Sequence, residues 1–249
     1  MLITAGLMMY FLLVRSKMLS LVGRPGSFRP KSDTVSTAIK IGAPMGLQHL
    51  LMGGAYIVST MIVAPLGTIA IAAHSLAITV ESLCYMPGFG IAEAATTLVG
   101  QGIGAGQKVL TRSFARMSVG LGIGVMTVMG LLMWTFAPEL MALMSPVEEV
   151  IAQGIQVLRI EAWAEPMFAA AIVSNGVFIG AGDTLIPAIM SLSSMWAVRL
   201  TMAATLAPKY GLKGVWTAMA IELSFRGSIF LIRLFKGGWA EKLKLKIDN

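Results

Sequence analysis

The chain has 249 residues, of which 56% are hydrophobic and 12% are charged, against roughly a quarter charged in an ordinary soluble domain. This composition excludes a typical soluble protein. The lack of alternating strand-like segments excludes a membrane barrel, so the predicted fold class is an all-α membrane protein. The net charge of +7 does not indicate nucleic-acid binding, because the basic residues flank apolar runs instead of lining one soluble face.

The apolar segments define the predicted elements in chain order. Residues 1–14 are too short for a helix that crosses the roughly 30 Å hydrocarbon core, and we interpret them as the remnant of a preceding transmembrane helix. Residues 15–34 are predicted to be a basic cytoplasmic linker, residues 35–237 a six-helix transmembrane lobe and residues 238–249 a basic cytoplasmic tail. The lobe contains apolar runs at 41–65, 69–103, 117–136, 162–180, 185–206 and 214–235.

The basic residues predict the orientation of these helices. They cluster before the first run, after the second and after the sixth, which are three positions on the same side of the membrane. Lys and Arg are enriched in cytoplasmic loops. We therefore expect a multi-pass protein of the bacterial inner membrane with its C-terminus in the cytoplasm.

Prolines and glycines inside the runs predict bends and close helix contacts. Pro87, which is followed by Gly88, predicts a bend in the second run, and Pro166 predicts one in the fourth, because an internal proline removes a backbone hydrogen bond. Glycines four residues apart let helix backbones approach closely in lipid. This spacing occurs at Gly42 and Gly46, Gly100 and Gly104, Gly102 and Gly106, Gly120 and Gly124, and Gly176 and Gly180.

Charged residues inside the runs are the strongest functional indication. Each costs roughly 2.5 to 3.5 kcal/mol at a helix centre, so it is expected to face the bundle interior and to have a partner. Glu222 and Arg226 are spaced i, i+4 and are predicted to form a structural ion pair. Arg199 is predicted to be structural as well, either by reaching the membrane surface or by pairing with an acid on another helix.

Other polar residues are candidates for function. Glu161 and Glu165 have like charges at i, i+4, an arrangement that can exchange a proton or hold a cation. Glu81 and Glu93 lie about 120° apart on a straight helix, and a kink at Pro87 is expected to turn both inward. The predicted cation-coupling residues and substrate cavity therefore comprise Glu165, Glu161, Glu93, Glu81, Gln48 and His49.

The sequence predicts no enzyme and no metal centre. No nucleophile, base and orienting group occur together in a plausible site. His49 and His74 belong to different runs, and the ligand spacings of zinc sites are missing. No cofactor is expected, apart from Na⁺ or H⁺ as a coupling ion.

Four stretches, "KIGAPMGLQHLL", "MPGFGIAEAATTLVGQGIGAGQ", "GVFIGAGDTLIPAIMSLSSMWAVRL" and "GLKGVWTAMAIELSFRGSIFLIRLFKGGW", resemble helix segments of the multidrug and toxic compound extrusion (MATE) transporters. They correspond to the seventh, eighth, tenth-to-eleventh and twelfth helices, and the resemblance runs from about residue 40 to residue 239. The positions that match the family pattern, mostly structural, are Pro44, Gly88, Gly100, Gln101, Gly104, Gly106, Gly182, Asp183, Thr184 and Pro187.

The resemblance implies twelve helices in two pseudosymmetric lobes of six, of which this chain matches the second. It implies export of drugs and other xenobiotic organic cations by alternating access, in exchange for Na⁺ or H⁺. The partners implied are the lipid bilayer, drug-like molecules and an N-terminal lobe or second copy. Family members carry coupling acids on the first helix, or on the seventh and tenth; here the seventh has none and the tenth offers Glu161 and Glu165.

Two alternatives remain open at this stage. One is a flippase for lipid-linked precursors, from the same superfamily, which would need a more cationic cavity than Arg199 and Arg226 provide. The other is a half-transporter fragment that does not transport, or a membrane interaction partner.

Overall fold

A computed structural model describes residues 2–11, 14 and 32–239 of the chain. The chain divides into two units, Met1–Lys40 and Ile41–Asn249. The first unit contains helix α1 (Leu2–Tyr10) and the start of helix α2 (Ser32–Val63). Most of the predicted linker, residues 15–31, and of the predicted tail, residues 240–249, lies outside the described residues.

The second unit consists of helices joined by short turns. It contains the remainder of α2, a 3₁₀ turn (Ala64–Leu66), α3 (Thr68–Gly104), α4 (Lys108–Met144), α5 (Glu148–Glu161), α6 (Glu165–Gly180), α7 (Leu185–Ser193), a π-helix (Ser194–Leu200), α8 (Thr201–Tyr210) and α9 (Leu212–Lys236). Five helical segments are long and apolar enough to cross a bilayer, or six if α5 and α6 count as one bent span. The predicted all-α membrane fold is confirmed, and the described residues contain no strand.

The fourth span is bent, as Pro166 predicts, but it begins earlier than predicted. It is made of α5 and α6, which meet at 60° around residues 162–164, so it begins well before the apolar run at 162–180. The predicted placement of Glu161 and Glu165 on one face of a continuous helix is therefore wrong. Pro166 explains the break, because its missing N–H is tolerated at the start of a helix and not in the interior. Within the break, the Ala164 N–H donates to Glu161 O, three residues earlier, at 2.7 Å.

Helix α6 lies directly against α3 through two glycines. A Cβ atom added to Gly176 would collide with the carbonyl oxygen of Ala92, and one added to Gly180 would collide with that of Thr96. The Thr96 hydroxyl also donates to the carbonyl of Gly176 at 2.9 Å. The predicted close approach at this glycine pair is thus present.

Other glycine pairs behave differently. A Cβ atom at Gly42, Gly46, Gly120 or Gly124 would meet nothing within 4 Å. The prediction that these pairs bring helices together is therefore wrong within the described part of the chain. Spacing alone does not determine which face of a helix meets a neighbour.

Two similar turns end α3 and α6. Gly106 and Gly182 adopt positive φ angles of 69° and 73°, a backbone region that glycine enters without steric cost. The N–H of Gln107 donates to Gly102 O at 3.0 Å, and the N–H of Asp183 donates to Phe178 O at 2.9 Å. This is the Schellman arrangement, which satisfies the last carbonyls of a helix.

Candidate functional site

An ion pair on α9 is buried within the bundle. Arg226 donates from Nε and Nη2 to Oε1 of Glu222, at 2.7 and 2.6 Å, as the i, i+4 spacing predicts. The same oxygen accepts a hydrogen bond from the Ser194 hydroxyl at 2.5 Å. Oε2 of Glu222 has no hydrogen-bond partner among the described residues. The pair joins α9 to the π-helix that contains Ser194.

Three further acids lie inside the same bundle. Glu81 on α3 is 5% exposed, and Glu161 at the end of α5 and Glu165 at the start of α6 are each 0% exposed. The negative charges of these three carboxylates act on one another. No oxygen of Glu161 or Glu165 has a hydrogen-bond partner among the described residues. We call Glu81, Glu161 and Glu165 the acid cluster.

Arg199 is the cation whose charge influences the acid cluster. It belongs to the π-helix (Ser194–Leu200), is 6% exposed and acts electrostatically on Glu81 and Glu161. Its Nη2 contacts the sulfur of Met219, and its Nε has no partner among the described residues. No acid forms an ion pair with Arg199 among the described residues, so its predicted pairing with an acid of another helix stays a prediction. π-helical turns occur often at functional sites.

His74 and Cys84 extend the polar region along α3. Nδ1 of His74 accepts a hydrogen bond from Nε1 of the buried Trp216 at 3.1 Å, so this histidine has a structural partner. The Cys84 thiol is buried beside the Glu165 carboxyl group. Among the described residues, no three His, Cys, Asp or Glu side chains are placed to hold a metal ion together.

Glu93 lies apart from the acid cluster. The expectation that a kink at Pro87 turns Glu81 and Glu93 inward together is wrong, because α3 continues through Pro87 as one helix and leaves Glu93 exposed. The twelve-residue separation keeps the two side chains about a third of a turn apart. Glu93 lies one turn beyond Phe89, on the same face of α3.

A cavity of about 310 Å³ opens on another part of the bundle. It is bounded by α2, α3, α6, α7 and α9. Gln48 and His49 line it, so the structure places these two predicted residues together, whereas none of the three acids of the cluster lines it. The other lining residues are Met45, Met52, Tyr56, Phe89, Phe168, Ala171, Ile172, Asn175, Ile179, Ser191 and Arg226.

A larger cavity of about 770 Å³ lies between the second half of α5, the end of α8 and the start of α9. Its lining includes Gln153, Val157, Ile160 and Tyr210. Val157 and Ile160 precede Glu161 by one turn and one residue along α5. None of the three acids of the cluster lines this cavity.

Sequence reasoning missed two contributions. Asp183, expected to be a turn residue, forms an ion pair with Arg233 near the end of α9, and Arg233 also packs on the ring of Phe178, 5.3 Å from its centre. Asn175, which lines the 310 Å³ cavity, was not considered. A polar side chain within an apolar run was the available indication for it.

The sequence profile of the MatE family matches residues 44–205, which is more than half of the chain. The chain belongs to the MatE family. It is a multi-pass membrane protein of a family of transporters, not enzymes, and the predicted family membership is confirmed.

Two similar MatE proteins are each called a probable multidrug resistance protein NorM. The one from Thermotoga maritima is 28% identical over 224 residues, covering 89% of this chain and 48% of that protein. The one from Pseudomonas aeruginosa is 29% identical over 202 residues, covering 78% of this chain and 41% of that protein. The chain thus spans about half the length of the curated relatives it matches.

Solved transporter structures share the fold. The MATE transporter VcmN of Vibrio cholerae in its bent form has a TM-score of 0.80 at 20% identity, covering 87% of this chain and 49% of that one. A MOP superfamily transporter from Pyrococcus furiosus has a TM-score of 0.86 at 17% identity, covering 98% of this chain and 54% of the transporter chain.

Proposed function

We propose that this chain is the C-terminal half of a secondary active exporter. Together with a second six-helix lobe, either an N-terminal lobe or another copy, it moves amphipathic drug-like molecules out of the cell by alternating access. Family membership, and relatives of about twice the length that are called multidrug resistance proteins, support this proposal. The burial of Glu161 and Glu165 without a hydrogen-bond partner among the described residues carries it.

The acid cluster is proposed to bind the coupling ion. Taking a carboxylate out of water costs several kcal/mol unless a partner compensates it, and Glu161 and Glu165 have no hydrogen-bond partner among the described residues. A bound cation supplies that compensation. We favour H⁺ over Na⁺, because a proton needs one oxygen atom whereas Na⁺ needs several ligands, and the described acids are not placed as a common metal site.

The two cavities are proposed to give the exporter its two pathways. The larger one, lined by Val157 and Ile160 of α5, suits proton entry from outside in the proposed orientation. The 310 Å³ cavity suits a substrate, because apolar walls combined with a few polar groups are typical of small-molecule sites.

Glu222 provides a physical link between the cluster and the substrate cavity. It is buried in the same bundle as the acid cluster, and its Oε1 accepts hydrogen bonds from Arg226, which lines the cavity. A change of charge in the cluster therefore alters the interaction that holds Arg226 in place. Binding of the coupling ion and binding of the substrate are therefore coupled, because both change the Glu222–Arg226 pair.

The orientation and location are part of the proposal. We place the protein in the bacterial inner membrane with its C-terminus in the cytoplasm. The basic residues at the ends of α3 and α9, which include Lys108 and Lys236, support this orientation by the positive-inside rule.

Drug efflux from cells tests the proposal. Cells would produce the chain alone or with the N-terminal lobe of a relative, and loss of preloaded ethidium would be followed by fluorescence. We expect efflux that responds to a proton gradient. Glu161→Gln and Glu165→Gln should each abolish that response, because an amide does not exchange a proton. The matched control is Glu139→Gln, since Glu139 is exposed near the end of α4.

Three results would count against parts of the proposal. Efflux that follows a Na⁺ gradient and ignores pH would replace the proton with Na⁺. Efflux that is unchanged in both acid variants would remove the acid cluster from the mechanism. No efflux of any dye, alone or with a second lobe, would refute the exporter.

A further inference from the structure

A small pocket between the start of α4 and the end of α9 contains three basic side chains. Its volume is about 110 Å³, and Arg112, Arg116 and Lys236 line it, whereas no acid does. Sites for drug-sized molecules usually occupy about 300–1,000 Å³. The pocket, which we call the basic pocket, therefore suits one small anionic group and not a drug-like substrate.

The charges of the basic pocket are not balanced within the described part of the chain. None of its three basic residues forms an ion pair there, and Asp183, an acid at the same end of the bundle, pairs with Arg233 instead. Arg112 and Arg116 are four residues apart on α4, a spacing at which like charges destabilise a helix. Lys236 adds a third positive charge from α9.

The end of α9 accounts for only part of this charge. Gly237 ends α9 with a φ of 73°, and Nη2 of Arg112 lies 3.9 Å from the position of a Cβ atom added to that glycine. A cation is favourable there, because the C-terminus of a helix carries about half a negative charge. Half a charge does not offset three cations, so an external anion is needed to balance the rest.

The walls of the basic pocket indicate that a lipid supplies this anion. Trp239 is buried, and its Nε1 donates to the carbonyl of Leu234 at 3.0 Å, which fixes one wall. Phe235 also lines the pocket and is 63% exposed, so an apolar surface continues from the basic side chains onto the outside of the bundle. A phospholipid presents the matching combination of a charged group and an acyl chain. Tryptophan is also common where a helix meets the membrane surface.

We propose that the basic pocket binds the phosphate of an anionic phospholipid such as phosphatidylglycerol, with an acyl chain along Phe235. The planar guanidinium of arginine binds phosphate through two parallel hydrogen bonds. A headgroup with its own cation, such as phosphatidylcholine, would bring a positive charge to a pocket without an acid. On the proposed orientation the site faces the cytoplasmic leaflet, where basic pockets between helices recognise anionic headgroups. This site does not depend on whether the chain exports drugs.

Lipid titration of the purified chain tests the assignment. The chain would be kept in detergent micelles, phosphatidylglycerol or phosphatidylcholine would be added, and bound lipids would be counted by native mass spectrometry. Each basic residue near an anionic lipid surface contributes about fivefold in affinity. We therefore expect the first phosphatidylglycerol to bind at least about tenfold more tightly than phosphatidylcholine.

Variants assign the preference to the pocket. Arg112→Gln combined with Arg116→Gln should weaken phosphatidylglycerol at least about tenfold and leave phosphatidylcholine unchanged, which also shows that the variant is folded. Arg112→Lys combined with Arg116→Lys should keep most of the preference, because the charges remain. The matched control is Lys209→Gln combined with Lys213→Gln, which removes the same charge from exposed positions at the other end of α9 and should keep the preference.

Three results would overturn the proposal. Equal binding of the two lipids would mean that the headgroup charge is not recognised. An equal loss in the pocket variant and the matched control would show a diffuse attraction to the whole basic protein. Displacement of phosphatidylglycerol by an excess of inorganic phosphate would assign the pocket to a free phosphate, because the acyl chain would then contribute nothing. Ethidium efflux tests the exporter separately, so neither result decides the other.

Discussion

The contact between α3 and α6 allows a sharp test of the packing. Replacing both Gly176 and Gly180 by Ala places Cβ atoms 3.1 Å from Ala92 Cα and 3.0 Å from Thr96 Cα, and closer still to the two carbonyl oxygens. These are backbone atoms and cannot rotate away. The helices must therefore separate by roughly 1 Å, a gap that forfeits a quarter to a half of each affected dispersion contact.

The expected loss of stability is large enough to measure. Overpacking costs about 1–3 kcal/mol per site. The hydrogen bond from Thr96 to Gly176 also weakens as the helices separate, and such a bond contributes about 0.6 kcal/mol in a membrane bundle. Replacing Gly by Ala also adds up to about 1 kcal/mol of helix propensity. The double variant Gly120→Ala and Gly124→Ala shares that gain but meets no neighbour within 4 Å, so it is the matched control.

Thermal unfolding in detergent, followed by circular dichroism, would compare the two double variants. For a chain of this size, 1 kcal/mol shifts the Tm by about 2–4 °C, so we expect the Gly176 and Gly180 variant to melt at least about 4 °C below the control. Equal melting temperatures would refute the close backbone contact. A higher Tm for the α6 variant would show that α3 and α6 are further apart than the structure places them.

Three other substitutions test single interactions. Trp216→Phe removes the donor to His74 Nδ1 and should lower the free energy of unfolding by about 1–3 kcal/mol; an unchanged denaturant midpoint would contradict this hydrogen bond. Asp183→Asn breaks the pair with Arg233, whose side chain is 22% exposed, so the loss should stay below about 1 kcal/mol and shrink at high salt; a loss independent of salt would argue against an ionic contact. Glu161→Gln removes no hydrogen bond and should not lower the Tm; a fall of more than about 1 kcal/mol in stability would reveal an undetected partner.

The sequence predicted the features that depend on a single helix. The spans follow from runs of apolar residues, because a helix of about 20 such residues satisfies its own backbone in lipid. The Glu222 and Arg226 pair follows from the helical repeat, since both partners lie on α9 one turn apart.

Features that depend on contacts between helices were not predictable in the same way. Asp183 and Arg233 are far apart in sequence, and their pairing requires knowing that the α6–α7 turn lies beside the end of α9. Pro166 predicted a bend in the fourth span, but not that a separate helix, α5, precedes it. Pro166 is compatible with a kink or with a new helix start, and residues 162–164 contain two alanines, which favour helix.

The bend in the fourth span has a consequence for biogenesis. Helix α6 has 16 residues and reaches only about 24 Å, and α5 carries Glu148, Glu149, Arg159 and Glu161 within 14 residues. Neither helix is suited to cross a bilayer by itself, because α6 is too short and each charge within a span opposes insertion. We therefore expect α5 and α6 to enter the membrane together, as one bent span.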